Sequence, residues 1–317
     1  MKRKTNKKIT IITLVSIFIL VLISFFFNVD LDYFFGYTLD DLISQSREEL
    51  NYDSLKNIDE ESNEILKVYF VDVGQGDSII LSKGNESMII DAGPNSSEIK
   101  LINFINSLNI TRFKYVVGTH VHEDHIGGME KVISNFEVSK VIFPKTISTT
   151  KTFNDFIDSV KNKGLNLTLP KVGDVYYLSD DVKIQIVAPN SEYYDNQNNY
   201  SIVLKVTYKD VSFLFTGDAE TLSEKEILQN DIDISADILK VGHHGSNTST
   251  SSKFLDVVNP KYAIISLGKD NSYNHPHSEI ITRLSIRNII IYRTDILGTI
   301  LVKTDGVNLN FEFEGGN

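Results

Sequence analysis

Thr119-His120-Val121-His122-Glu123-Asp124-His125-Ile126-Gly127-Gly128 packs three imidazoles and two carboxylates into six residues, His120 to His125. The apolar run Tyr115 to Gly118 before it reads as a strand, and the glycine pair after it opens a helical pattern. The donors therefore sit on a strand-to-helix turn. Imidazole is the commonest protein ligand for zinc-like ions, and a His-x-His-x-Asp-His spacing can offer four donors from one tight turn. The remaining four of the seven histidines are also clustered, as His243-His244 and His275-Pro276-His277. Ordinary hydrogen-bonded polar histidines would be scattered, so the clustering points to a metal site.

Outward from this turn the pattern is mixed α/β with antiparallel ends. Short apolar strands are expected at 65–73, 78–82, 87–91, 115–118, 140–143, 183–188, 201–208, 211–216, 237–241, 262–266, 289–293 and 299–313. Helical periodicity is expected at 96–108, 127–136, 152–163, 220–229, 252–258 and 278–287. Three motifs follow strands directly: Thr119-His120, Gly217-Asp218 and Gly242-His243-His244. Loops at strand ends let a rigid sheet bring distant residues to one point, so His120, His122, Asp124, His125, Asp218 and one histidine of the second pair are expected to converge. No repeat of fixed period is visible.

The 317 residues contain no cysteine, which excludes disulfides, thiolate ligands and a cysteine nucleophile. Lys2, Arg3, Lys4, Lys7 and Lys8 precede an uncharged stretch from Ile9 to Val29. At about 1.5 Å per residue that stretch matches a hydrocarbon core of roughly 30 Å. Residues 9–29 are expected to be an uncleaved transmembrane anchor, with residues 1–8 as its cytoplasmic flank and the rest of the chain outside the cell. Residues 30–64 hold eleven acids against Arg47 and Lys56 and read as a solvated spacer. Residues 65–317, expected to form the catalytic domain, are net negative too, so they have no bulk positive field for nucleic acid, and a polyanion must be gripped locally.

Six ordered motifs resemble the metallo-β-lactamase fold, and more narrowly the hydrolase domain of ComEC-type DNA-uptake competence proteins. They are Asp72-Val73-Gly74-Gln75-Gly76-Asp77-Ser78, Ile90-Asp91-Ala92-Gly93, the opening histidine motif, Phe215-Thr216-Gly217-Asp218, Leu239-Lys240-Val241-Gly242-His243-His244-Gly245-Ser246, and His275-Pro276-His277. The resemblance covers about Ile65 to Val307. It implies a four-layer αβ/βα sandwich with two divalent ions, zinc or manganese, at one edge between the sheets. His120 and His122 would bind the first ion, Asp124 and His125 the second, and Asp218 both; His243 or His244, with His243 favoured, would complete the second site. Relatives with a full dinuclear centre supply a further histidine between the first cluster and the bridging aspartate. Here Asn198-Asn199-Tyr200-Ser201 occupies that place, so the first ion is expected to bind weakly.

Asp124 would also orient the nucleophile formed from a water of lowered pKa, and His275, with His277 beside it, would deliver a proton to the leaving group. Asp72 and Asp91 read either as loop aspartates or as supports of the ligands, with Asp77 in a glycine-flanked turn facing the centre. The loop containing His244 and Ser246, with Lys240 nearby, reads as a phosphate cradle. The function expected is a membrane-tethered, externally facing phosphodiesterase acting on nucleic acid or another phosphodiester. With a single anchor the chain would work beside a separate DNA channel or alone. The competing readings are an amide or ester hydrolase, including of lactams, and a non-catalytic metal-binding module. Loss of the lactamase-type cysteine weakens the first, and an intact Asp124 weakens the second.

Overall fold

The computed structural model describes residues 64–314. The chain first lays down β1 (Leu66–Phe70), β2 (Ile79–Lys83), β3 (Glu86–Ile90), β4 (Arg112–Val117), β5 (Glu137–Ile142) and β6 (Leu167–Thr168). It then builds a second sheet from β7 (Val175–Tyr177), β8 (Val182–Ala188), β9 (Val203–Tyr208), β10 (Val211–Phe215), β11 (Ile238–Lys240), β12 (Tyr262–Ile265) and β13 (Ile290–Arg293). Finally β14 (Ile300–Thr304) and β15 (Leu309–Phe313) return to the first sheet. The strand orders are β15-β14-β1-β2-β3-β4-β5-β6 and β13-β12-β11-β10-β9-β8-β7. Each sheet is antiparallel on one side and parallel on the other, the parallel pairs being β3 to β6 and β10 to β13.

Helices cover the outer faces. Against the first sheet lie α1 (Glu98–Ser107), α2 (Glu123–Ile126), α3 (Met129–Asn135) and α4 (Lys151–Asn162); later come α5 (Thr221–Ile227), α6 (Ser252–Val258), α7 (Ser278–Ser285) and α8 (Thr294–Leu297). The layering follows from period-two alternation along the strands. In β2, Ile79 and Leu81 enter the core between the sheets while Ile80 meets the helices of the first layer. In β10, Phe213 and Phe215 face that inner core while Leu214 packs outward with Phe254 and Leu255 of α6. Helix α4 buries Phe153, Phe156 and Val160, three positions of one helical face, and its N-terminus is capped by Thr150 Oγ1 accepting from Phe153 N at 3.3 Å. The expected two-sheet sandwich is the fold observed.

Local boundaries differ where the local pattern is weak. Residues 299–313, expected as one strand, form the β14–β15 hairpin, turned at Asp305-Gly306, where Gly306 has φ +92°. Two short edge strands, β6 and β7, were not expected, nor was the single helical turn α2 inside the histidine motif. The expected anchor at 9–29, its flank and the spacer up to residue 63 lie outside the described residues. Among the described residues no helix is long and apolar enough to cross a membrane.

Candidate metal centre

The parallel strands of both sheets point their C-terminal ends to the same edge, and the loops there carry the site. From the first sheet come Asp91 after β3 and the histidine motif after β4; from the second come Asp218 after β10 and His243-His244 after β11. The Asp72 to Ser78 loop lies against the motif, with Asp77 N donating to the Asp124 carbonyl at 3.1 Å. Gly76 is required there, because a Cβ at that position would stand 2.2 Å from the Asp124 carbonyl oxygen.

Asp218 is buried at the focus. Its Oδ1 lies 3.2 Å from His125 Nε2 and 3.5 Å from His244 Nε2, and its Oδ2 lies 3.8 Å from His120 Nε2 and 3.7 Å from His243 Nε2. His122 Nδ1 stands 3.0 Å from His120 Nε2. Asp124 Oδ2 lies 3.3 Å from His244 Nε2 and 3.9 Å from His125 Nε2. Two trios, Asp124-His125-His244 and His120-His125-Asp218, each have their donor atoms within 4.8 Å of one another, close enough for one ion. The six residues expected as ligands thus meet, but the place beside Asp124 and His125, for which the sequence favours His243 over His244, is taken by His244. Asp218 Oδ1 is fully buried yet accepts no hydrogen bond, and the surrounding nitrogen and oxygen donors suit zinc, manganese or iron. The residues fit a divalent cation.

Outer contacts hold each ring in place. Asp91 Oδ2 is 2.7 Å from His125 Nδ1, and the same carboxylate accepts from Thr119 N and Thr119 Oγ1, both at 2.7 Å. His244 Nδ1 is 2.9 Å from the Ser266 carbonyl and 3.3 Å from Asp77 Oδ1. Ser201 Oγ accepts from Asp218 N at 3.0 Å. Asp91, His243 and His244 have φ of 59°, 49° and 52°. Such left-handed backbone costs a non-glycine residue on the order of 1–3 kcal/mol, and the surrounding contacts enforce it.

Charge is shared unevenly among the rings. Burial opposes protonation of His244, but the carboxylates of Asp218 and Asp77 outweigh it and push its pKa up to about 10. Burial likewise opposes charge on His125, and Asp218, Asp91 and Asp124 raise it well above the ordinary imidazole value. His120 and His122 are lowered, chiefly by burial. Burial alone would raise Asp218 and Asp124, yet His125 and His244 hold both below the usual carboxylate range.

The other expected residues are placed as follows. Asp72 accepts from Gly74 N at 3.1 Å and pairs with Lys100 at 2.8 Å, so it shapes its own turn. Lys240 is fully buried, its ammonium held by Asp77 Oδ2 at 2.8 Å and the Val241 carbonyl at 2.9 Å, and is withheld from any anion in the cleft. Asn199 Oδ1 accepts from Glu220 N and Ser223 N at 3.3 and 3.2 Å, stabilising the start of α5. Ser246 Oγ contacts Thr248 Oγ1 at 3.1 Å, and His277 Nδ1 accepts from Asn247 N at 2.9 Å, tying the loop to α7. His275 lines an open cleft of about 590 Å³ with Tyr273, Gln75, His122, Asp124 and His243. Burial, then repulsion from His244 and His243, lowers the His275 pKa to about 4. Sequence reasoning passed over Thr119, Ser201 and Glu220; the last stands two residues after Asp218, and its Oε1 lies 3.4 Å from His243 Nδ1.

Residues 71–269 match the Metallo-beta-lactamase superfamily. The chain is 32% identical over 252 residues to ComE operon protein 3 of Bacillus subtilis (strain 168), covering 74% of this chain and 32% of that protein. It is 26% identical over 238 residues to competence protein ComA of Neisseria gonorrhoeae, covering 72% of this chain and 31% of the relative. It thus spans about a third of the curated relatives it matches. Among solved structures, the metallo-beta-lactamase fold protein YhfI from Bacillus subtilis aligns with a TM-score of 0.51 at 11% identity, covering 75% of this chain and 100% of that one, a likeness of fold.

Proposed function

The chain belongs to the metallo-beta-lactamase superfamily, and on that premise we propose that it is a metal-dependent phosphodiesterase acting on nucleic acid, related in role to the competence proteins it resembles. One observation carries the reading: the buried Asp218 carboxylate turns each oxygen toward a separate pair of imidazoles beneath an open cleft. His120, His122 and Asp218 would hold one divalent ion, and Asp124, His125, His244 and Asp218 the other. When bound, such a pair lowers the pKa of a captured water from 15.7 toward about 7 and neutralises charge on phosphoryl oxygens.

The protein's own groups do the rest. Asp124 stays ionised and is the partly exposed carboxylate beside the buried rings, so it can orient the attacking water. His275 borders the same cleft, where it would meet a leaving oxygen. Burial first, then the neighbouring imidazoles, keeps His275 neutral, and a docked phosphodiester anion would favour its protonated form. Tyr273, 60% exposed and stacked on His275 with ring centroids 5.6 Å apart, offers a flat face beside the cleft for a nucleobase.

The basic flank and apolar stretch at 2–29 support a membrane anchor that leaves the hydrolase domain outside, working beside a channel or on free substrates. The purified chain with manganese or zinc is expected to cleave single-stranded DNA and bis-p-nitrophenyl phosphate, and Asp124→Ala and His122→Ala to abolish both. Equal rates for wild type and variants would remove the centre from the chemistry. Preferential turnover of a lactam in the same panel would replace the phosphodiester reading.

A further inference from the structure

Asn198-Asn199-Tyr200-Ser201, which stands where relatives with a full dinuclear centre are expected to carry a further histidine, offers no imidazole. Asn199 is committed to the start of α5, and Ser201 Oγ accepts from Asp218 N while lying 3.4 Å from His120 Nδ1, the ring atom turned away from His122. The His120 side of Asp218 is thereby left with two imidazoles and one carboxylate oxygen, a position short of four donors.

His243 stands where that place opens. Its Nε2 is 3.7 Å from Asp218 Oδ2, the oxygen that also faces His120, whereas the adjacent His244 faces Oδ1. Its Nδ1 is engaged on the far side of the ring, 3.1 Å from Thr248 Oγ1 and 3.4 Å from Glu220 Oε1. Glu220 is itself held by Asn196 Nδ2 at 2.9 Å and Asn198 Nδ2 at 3.2 Å. An imidazole with one nitrogen tied to an oxygen acceptor and the other aimed inward is the habit of a ligating histidine; His125 with Asp91 and His244 with the Ser266 carbonyl, Asp77 Oδ1 standing 3.3 Å away, show the same arrangement. Two successive left-handed residues turn the neighbouring rings onto different oxygens of one carboxylate.

We infer that His243, steered by Glu220, is a ligand of the first ion and His244 of the second, so that one dipeptide replaces the donor missing from residues 198–201. This rests on the dinuclear reading above. Among the described residues no trio closed within 4.8 Å includes His122 or His243, so the first position is the more open and its ion the more weakly held.

The test is metal stoichiometry of the full chain, stripped and then titrated with cobalt(II), with visible absorption and elemental analysis as readouts and circular dichroism to verify folding. Wild type should take two ions per chain in two resolved steps. Folded His243→Ala should take one and lack the weaker step, and Glu220→Gln should retain both with the weaker step shifted about 10–100-fold to higher concentration. His243→Ala binding two ions with wild-type affinities, or none, overturns the inference. Wild type binding a single ion that survives in His243→Ala also overturns it while leaving a metal-dependent hydrolase intact. Wild type binding no ion overturns the underlying reading instead.

Discussion

Lys240 Nζ lies 2.8 Å from Asp77 Oδ2, both side chains are almost wholly withdrawn from solvent, and the other Asp77 oxygen faces His244 Nδ1 at 3.3 Å. The ammonium therefore compensates a buried carboxylate whose task is to aim a ring. Removing one member of such a pair strands the other charge, at a cost of about 3–5 kcal/mol. Lys240→Met is expected to lower the unfolding free energy by that amount in urea titrations. The double variant Lys240→Met, Asp77→Leu should regain part of this stability yet bind metal about 10–100-fold more weakly, because His244 has lost its carboxylate partner. A double variant with undiminished metal affinity would show that the pair serves packing alone.

Protons and cations compete for the same nitrogens. The His244 pKa is pushed up to about 10 in the folded chain, against about 6.5 when unfolded. A raised pKa contributes stability in full below about 6.5 and loses it as pH climbs through about 10. The metal-stripped chain should therefore show a falling urea midpoint between pH 6.5 and 10.5. Metal uptake at pH 7.5 should release protons, seen calorimetrically as a binding heat that changes with the ionisation enthalpy of the buffer. Buffer-independent heat would mean that the rings are already neutral.

Leaving-group dependence isolates His275. If it delivers the departing proton, His275→Ala should slow DNA cleavage by about 10²-fold or more, while bis-p-nitrophenyl phosphate, whose leaving group departs as a stable anion, should lose much less. Equal losses on both substrates would restrict His275 to binding.

Asp91→Asn tests orientation at the other buried ring. The carboxylate simultaneously receives Thr119 N, Thr119 Oγ1 and the His125 ring. The amide retains the shape but offers one acceptor fewer, so metal affinity should drop about 10–100-fold with little change in secondary structure. Unchanged affinity in metal titrations would count against this account.

The site was largely legible because its residues belong to loops that directly follow strong apolar strands: Tyr115 to Gly118 announced His120, and Val211 to Thr216 announced Asp218. What sequence withheld was direction. His243 and His244 are chemically identical neighbours, and only the left-handed backbone between β11 and α6 decides which oxygen each faces. Lys240 invited an anion-binding role because lysine is seldom buried; its partner Asp77 lies 163 residues earlier and no local pattern links them. Glu220 carried a faint signal, an acid two residues beyond Asp218, but helix-start acids are common and need no function. The strands β6 and β7 were too short, at two and three residues, to register a period.

The donor groups are divided by architecture: His120, His122, Asp124 and His125 extend from the first sheet, and Asp218, His243 and His244 from the second. A cation held among them would rivet two slabs that otherwise adhere through side chains and a few backbone bonds, such as Ile202 N to the Thr119 carbonyl at 3.0 Å. Productive geometry tolerates displacements of only about 0.5 Å, so any slippage between the slabs would be felt first at the rivet. The reach of that mechanical linkage extends to substitutions deep in the interlayer core, such as at Phe70 or Phe215, which are not donors yet help set the gap the cation must span.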